Sequence, residues 1–260
     1  MIDKLRISRF LKSIRFQLLL LVIVSMLPAL AIIIYTGIDR RTSDIENDKW
    51  RIISAVQDLS QGHEHALSST RQLLKTLAML PEVQKRHVEA CNLLFAGLLK
   101  ENSLYANIFA ADAAGNVFAS ARPFMPFNIR DRQFYRDVLR TGEFSVGEYR
   151  LGQRSGRHVL PCAYPVRDAQ GRVTALVMAG IDLDRYGDML DIKRFSPGAV
   201  LSMSDQRGIR LYRSPDPLNL IGQADAPEMI RNMAGPADSG LFGAIGIDGV
   251  KRLYAYRRFH

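Results

Sequence analysis

The residues able to do chemistry crowd into one stretch of this 260-residue chain. Phe127-Asn128-Ile129-Arg130-Asp131-Arg132-Gln133-Phe134-Tyr135-Arg136 interleaves guanidinium groups with aromatic rings. Gly142-Glu143-Phe144-Ser145-Val146-Gly147-Glu148-Tyr149, Ser155-Gly156 and Ala163-Tyr164-Pro165-Val166 follow it. Guanidinium forks grip oxyanions, and tyrosines supply apolar walls with polar tips. That is the chemistry of recognition. Its alternative is ordinary packing with a solvated surface, the reading given to Arg130, Arg136, Arg150, Arg154 and Arg157. No Gly-x-Ser-x-Gly elbow, P-loop or His-Glu-x-x-His segment occurs. Cys162 has no assignable base, and Cys91 reads as a small buried apolar residue. Whether the two cysteines bond stays open. His63 and His65, two apart, do not share a helix face. No catalytic residue, metal or cofactor is therefore assigned, and any catalytic part of the parent protein is expected past His260.

These residues need elements to hold them. Ile52, Val56, Leu59, Ala66, Leu73, Leu77 and Leu80 recur at helical steps and predict one long helix, stopped or kinked by Pro81. Ser43 with Glu46 offers a capping box, unless the preceding helix simply runs on. Val83, Ala90, Leu94 and Leu98 predict a second helix. From Asn107 the pattern turns to strands and tight turns. Asp112-Ala113-Ala114-Gly115, Asp168-Ala169-Gln170-Gly171 and Asp205-Gln206-Arg207-Gly208 share one device: Asp opens the turn and Gly takes its left-handed position. Asp248-Gly249 reads as a two-residue hairpin.

Asp112 precedes Gly156 by 44 residues, and Asp205 precedes Gly249 by 44. Ala163-Tyr164 follows in the first unit and Ala255-Tyr256 in the second, so the chain reads as two copies of one sheet module, 93 residues apart. The first is completed by the hairpin at Asp168–Gly171 and a strand over Val173–Ile181. The second lacks both and reads as truncated. Asp182–Phe195, with Leu183, Tyr186, Leu190 and Ile192, reads as a connecting helix that Asp182 can cap.

A further segment fixes where the modules sit. Leu18–Tyr35 holds no charge and one polar residue, Ser25. Residues 18–38 would span about 31 Å as a helix, against about 30 Å of bilayer hydrocarbon. The residues before it carry Lys4, Arg6, Arg9, Lys12 and Arg15 against Asp3. The bias puts residues 1–17 in the cytoplasm and everything after Ile38 outside it. Cleavage at Ala29-Leu30-Ala31 would leave an apolar new terminus, so an anchor is preferred to a signal peptide. The net charge is +9, partly from this tail, and the rest is interleaved with acids. No basic stripe or recognition-helix pattern argues for nucleic acid.

In their order, the Asp-Arg-x-Phe-Tyr element, the Val-Gly-Glu-Tyr strand, the Ser-Gly turn, the Ala-Tyr-Pro-Val strand and Ala179-Gly180-Ile181-Asp182 resemble the double-Cache sensors over residues 38–260. The resemblance implies an α+β fold: a long N-terminal helix of anchor and stalk, then two PAS-like antiparallel-sheet modules. The boundaries would be 18–38 for the membrane helix, 39–182 for stalk and distal module, and 183–260 for the incomplete proximal module. It also implies a ligand site. In members that bind amino acids, Arg132 matches the Arg, Tyr135 and Tyr149 the two later Tyr, and Asp182 the Asp. Phe127 stands where those members have Tyr, and Phe134 where they have Trp. The lost phenol and indole donors, at about 1–3 kcal/mol per unpaired buried group, leave organic acids and amines as good a fit as amino acids. The implied function is the periplasmic input module of an inner-membrane receptor. Its outputs rank as histidine kinase, then diguanylate cyclase, then chemoreceptor, with a parallel homodimer as assembly. An anchored hydrolase and a structural contact module are the competing classes.

Overall fold

The computed structural model describes residues 14–152, 156–185, 198–205, 207–216 and 219–259. The chain divides into two compact units, Met1–Ser54 and Ala55–His260. Helix α1 covers Ile14–Met79 with Pro28 inside it, so the helix runs on past Ser43 and no new helix starts there. In the first unit Leu21, Val22, Met26, Leu27 and Leu30 are each more than half exposed. Among the described residues no helix is long and apolar enough to cross a membrane. Most side chains of the expected 18–38 span, and the basic residues Lys4 to Lys12, lie outside the described residues.

The second unit begins within α1. Its buried stripe is Ser60, His63, Ala66, Thr70, Leu74, Leu77 and Ala78, a more polar set than the apolar spacing suggests. Burial is tolerated because the hydroxyls bond locally: Ser60 Oγ donates to the Val56 carbonyl at 2.6 Å and Thr70 Oγ1 to that of Ala66 at 2.8 Å. Thr70 also meets the Tyr105 hydroxyl at 3.1 Å. Pro81 opens a short helix α2, Pro81–Gln84, at a position where its missing N–H costs nothing. Helix α3 follows over Val88–Glu101 and buries Cys91 and Phe95.

Strands β1 (Tyr105–Asp112), β2 (Val117–Ser120), β3 (Ser145–Val146), β4 (Arg150–Leu151), β5 (His158–Arg167) and β6 (Val173–Asp182) form one antiparallel sheet of order β2-β1-β6-β5-β3, with β4 also on β5. Helix α4, Gln133–Thr141, lies between β2 and β3 in sequence and ends on Gly142 at φ 68°. Alternation splits the sheet cleanly. Ala175, Val177, Ala179 and Ile181 of β6 pack with α1, α2 and α3, around Leu74, Leu77, Val83, Cys91 and Phe95. Leu176 and Met178 pack with Phe134, Tyr135 and Val138 of α4. Both cysteines are buried and unbonded, and burial pushes the Cys162 thiol up to about 12.

Three turns use the expected device. Asp112 Oδ1 accepts the N–H groups of Ala114 and Asn116, Asp168 Oδ1 those of Gln170 and Arg172, and Asp205 Oδ1 those of Arg207 and Ile209. Past residue 198 stand two separate two-stranded sheets: β7 (Leu201–Ser204) with β8 (Arg210–Ser214), and β9 (Ser239–Ile245) with β10 (Lys251–Arg257). Helix α5, Pro227–Met233, lies between them in sequence. The β9–β10 connection is longer than the two-residue turn expected at Asp248-Gly249. Gly246 N–H donates to the Val250 carbonyl at 2.9 Å, so the loop closes around Gly246–Val250. Asp248 is left to bind Arg252 at 2.7 Å and Arg213 of β8 at 3.0 Å. The connecting helix expected over Asp182–Phe195 lies almost wholly outside the described residues.

Candidate functional site

Position 182 ends β6 in the phase of Leu176 and Met178, so its carboxylate projects from the sheet face that α4 covers. Asp182 is fully buried and its side chain accepts hydrogen bonds from Arg157 Nη1 and from the Asp184 N–H. Arg157, just before β5, is about one-third exposed at its side chain, 35%. Cross-strand register explains the pair: Val159 lies opposite Asp182, and Arg157 extends the same face by two residues. The structure thus corrects the expectation of a solvated Arg157. The hairpin turn at Asp168–Gly171 is visible in the sequence, but the register slips by one residue between Val166 and Arg167, so the turn alone does not point to the pair.

On the same face Gly180 lies between Asn107 of β1 and Pro161 of β5. A Cβ at Gly180 would meet only Val159, at 3.6 Å. Asn107 Nδ2 donates to Ser120 Oγ at 3.0 Å. Phe134, buried in α4, sits against Pro161 and Gly147 closely enough that a Cβ at Gly147 would collide with both. Arg132 caps α4 just before Phe134, is 16% exposed at its side chain, and its Nε lies 3.2 Å from Asp131 Oδ1. Phe127 packs against Phe109 and Phe124 at ring separations of 6.1 and 6.2 Å. Arg132, Phe134, Phe127 and Asp182 thus belong to one side of the sheet.

Two expected members are placed elsewhere. The Tyr135 hydroxyl donates to the Ala113 carbonyl at 2.7 Å. Ala113 lies beside Thr174, eight residues along β6 from Asp182, or about 26 Å at roughly 3.3 Å per residue. Tyr135 therefore anchors α4 to the β1–β2 turn, and burial raises its pKa. Tyr149 packs with the cluster on the opposite, α1-facing side. Its hydroxyl bonds His158 Nδ1 and its ring stacks on His158 at 5.6 Å. Burial, with a smaller contribution from Asp184, raises its pKa.

Tyr149 also touches the segment between β8 and α5, where a Cβ at Gly222 would come within 2.5 Å of its oxygen. Beside it Glu148 pairs with Arg207 at 3.3 Å. Asp184, whose N–H reaches Asp182, accepts the His158 N–H at 3.3 Å. A continuous line of contacts thus runs from Asp182 through Asp184, His158 and Tyr149 to Gly222.

Clefts open on the surface of this unit. One, of 390 Å³, is lined by Gln84, Lys85, Arg86, Arg167, Asp168 and Thr174. Another, of 720 Å³, is lined by Ala113, Ala114, Arg130, Tyr135, Arg136, Leu139 and Arg140. Of the expected site residues, only Tyr135 lines either.

Residues 42–259 match the family model described as dCache_1, Cache domain. No curated protein matches the chain. Among solved structures it is similar to an extracellular domain assigned to a histidine kinase, rpHK1S-Z16, with TM-score 0.68 and 16% identity over 82% of this chain and 90% of that one. It is similar to the ligand-binding domain of the Pseudomonas aeruginosa PAO1 amino acid chemoreceptor PctC in complex with GABA, with TM-score 0.54 and 20% identity over 83% and 100%. It is also similar to the ligand-binding domain of the Campylobacter jejuni chemoreceptor Tlp3 in complex with L-valine, with TM-score 0.59 and 15% identity over 82% and 88%. At these identities the likeness is one of fold.

Proposed function

The chain belongs to the Cache domain family, and from that premise we propose that it is the ligand-binding input module of a membrane receptor, sensing a small organic molecule outside the cytoplasm. The observation that carries the reading is Asp182: a fully buried carboxylate on the sheet face covered by α4, next to the side-chain-free position Gly180. GABA and L-valine, bound by two domains of this fold, each combine an ammonium with a carboxylate. Asp182 suits the first group and Arg132 the second, with Phe127 and Phe134 as apolar walls. Tyr135 is assigned to holding α4 and Tyr149 to the joint with the C-terminal part. Amines and organic acids that satisfy one of the two charges are further candidates.

A ligand ammonium at Asp182 competes with Arg157. Displacing Arg157 loosens the start of β5, where His158 and Tyr149 reach Gly222, and so favours one of two arrangements of that joint. The exposed apolar side chains of Leu21, Val22, Met26, Leu27 and Leu30 support a bilayer anchor, with residues after Ile38 on the periplasmic side. The repeated Asp-opened turns support a second, proximal PAS-like module from residue 183 onward. A parallel dimer and a histidine-kinase output complete the proposal, with a diguanylate cyclase or chemoreceptor as the second reading.

A thermal-shift screen of the chain with amino acids, organic acids and amines tests it. At a hundred times its Kd a ligand adds about 2.7 kcal/mol, which raises Tm by about 5–11 °C for a domain of this size. R132A and D182N should abolish the shift. The reading fails if no compound shifts Tm, or if both variants bind as the parent does. A topology reporter fused after residue 60 that is active in the cytosol would remove the membrane placement.

A further inference from the structure

We propose that the cleft between the β1–β2 turn and α4 is a second binding site, specific for a small organic dianion with a flat apolar body. Its walls are built from two sources. On α4, Tyr135 with Leu139 and Arg136 with Arg140 are spaced four residues apart, and Arg136 with Leu139 three, so they form adjoining rows along the cleft. Ala113 and Ala114 of the β1–β2 turn face them, and Arg130 closes the rim. The cleft's 720 Å³ lies within the size range of small-molecule sites.

The cleft is held in shape from both sides. Tyr135 ties α4 to the Ala113 carbonyl. Asn128 Nδ2 donates to the Ala114 carbonyl at 3.0 Å and to Asn116 Oδ1 at 2.8 Å, while Asn128 Oδ1 accepts the Arg130 N–H at 2.8 Å. A Cβ at Gly115, where φ is +86°, would strike Asn128 Oδ1 at 2.9 Å and the Arg130 nitrogen at 3.0 Å. The backbone of the turn is thus clamped to that of the rim arginine, so what binding must still order is the arginine side chains.

Charge selects the occupant. Arg140 pairs with Asp137 at 3.0 Å, and Arg136 bonds the neutral Gln133 at 2.9 Å. Among the described residues no carboxylate is paired with Arg130 or Arg136. Two guanidinium groups line the cleft together with Ala113, Ala114 and Leu139, 39% exposed, and suit a ligand that carries two carboxylates on a ring. The hydroxyl of Tyr135 is already spent on the Ala113 carbonyl, so the guanidinium groups are left as the donors a ligand would meet.

Phthalate is the probe, titrated calorimetrically into the full chain, with phthalamide for the ring without charge and inorganic phosphate for charge without a ring. Phthalate should saturate one site, with each control at least tenfold weaker. R136Q/R130Q should weaken phthalate at least tenfold while D182N leaves it within twofold, which separates this site from the one proposed at Asp182. L139E, which places an anion in the cleft wall, should also abolish binding and covers the case in which the double variant unfolds. Phosphate binding as tightly as phthalate, no saturable binding, or unchanged affinity in folded R136Q/R130Q or L139E would overturn the proposal.

Discussion

The Asp182–Arg157 pair is lopsided, and the asymmetry can be measured. Asp182 is wholly buried, whereas about a third of the Arg157 side chain reaches solvent. Removing Arg157 leaves a buried carboxylate with only the Asp184 N–H among its described partners. Losing one partner of a buried pair in this way costs about 3–5 kcal/mol. Removing the charge on Asp182 instead leaves a guanidinium that can swing outward, so the loss is nearer that of one charged hydrogen bond, about 1.5–3 kcal/mol and toward the low end after solvent screening. R157Q should therefore be destabilised by about twice as much as D182N. Combining the two removes the stranded charge, so D182N/R157Q should recover at least a third of the R157Q loss. Urea unfolding of the four proteins, completed as a double-mutant cycle, reads the coupling directly. Equal single losses, or a double variant equal to their sum, would refute the picture of a buried carboxylate held in place by its arginine.

Other outcomes are open to simple checks. Gly180→Ala should leave Tm within about 2 °C, because its Cβ meets only Val159, while Gly180→Leu should abolish ligand-induced thermal shifts by filling the space beside Asp182. Gly115→Ala should cost about 1–3 kcal/mol in unfolding experiments, since the position needs φ +86° and the new methyl strikes Asn128 and Arg130. His63 is buried against Phe259 at 4.6 Å, and burial lowers its pKa below 6.5, an effect that neighbouring Glu64 partly offsets. The folded protein then holds the proton less tightly than the unfolded chain. Its contribution is complete above pH 6.5 and shrinks as pH falls through the folded value. Melting curves should show that loss in the parent chain and a smaller one in H63F.

Much of the sheet can be read from residues alone because its instructions are local. Asp112, Asp168 and Asp205 each use their own carboxylate to accept two nearby N–H groups, and each is followed three residues later by a glycine. Asp248 also precedes a glycine but plays another part, because Gly246 opens its loop and Arg213 and Arg252 take its carboxylate. Apolar spacing alone makes the helical stripe too greasy, since Ser60 and Thr70 satisfy themselves within α1 and so pass as core. The placement of the candidate site residues is half legible. Arg132, Phe134 and Asp182 lie on one side, but which face Tyr149 takes depends on the short pairing of β4 with β5, a register that no two-residue strand reveals in advance. Arg157 escapes a local reading because the carboxylate that holds it lies 25 residues away.

The two C-terminal hairpins share no strand ladder, yet Arg213 of β8 reaches across to Asp248 in the β9–β10 loop. Arg252 bonding, opposed by some burial and helped by the Val250 N–H, holds the Asp248 carboxyl down at about 2. The clasp therefore stays charged through any pH a living cell meets. Being made of ions, it can part and reseal without breaking a single main-chain hydrogen bond. With the Arg213 and Asp248 side chains only 9% and 19% exposed, salt screens the clasp far less than it would an open surface pair.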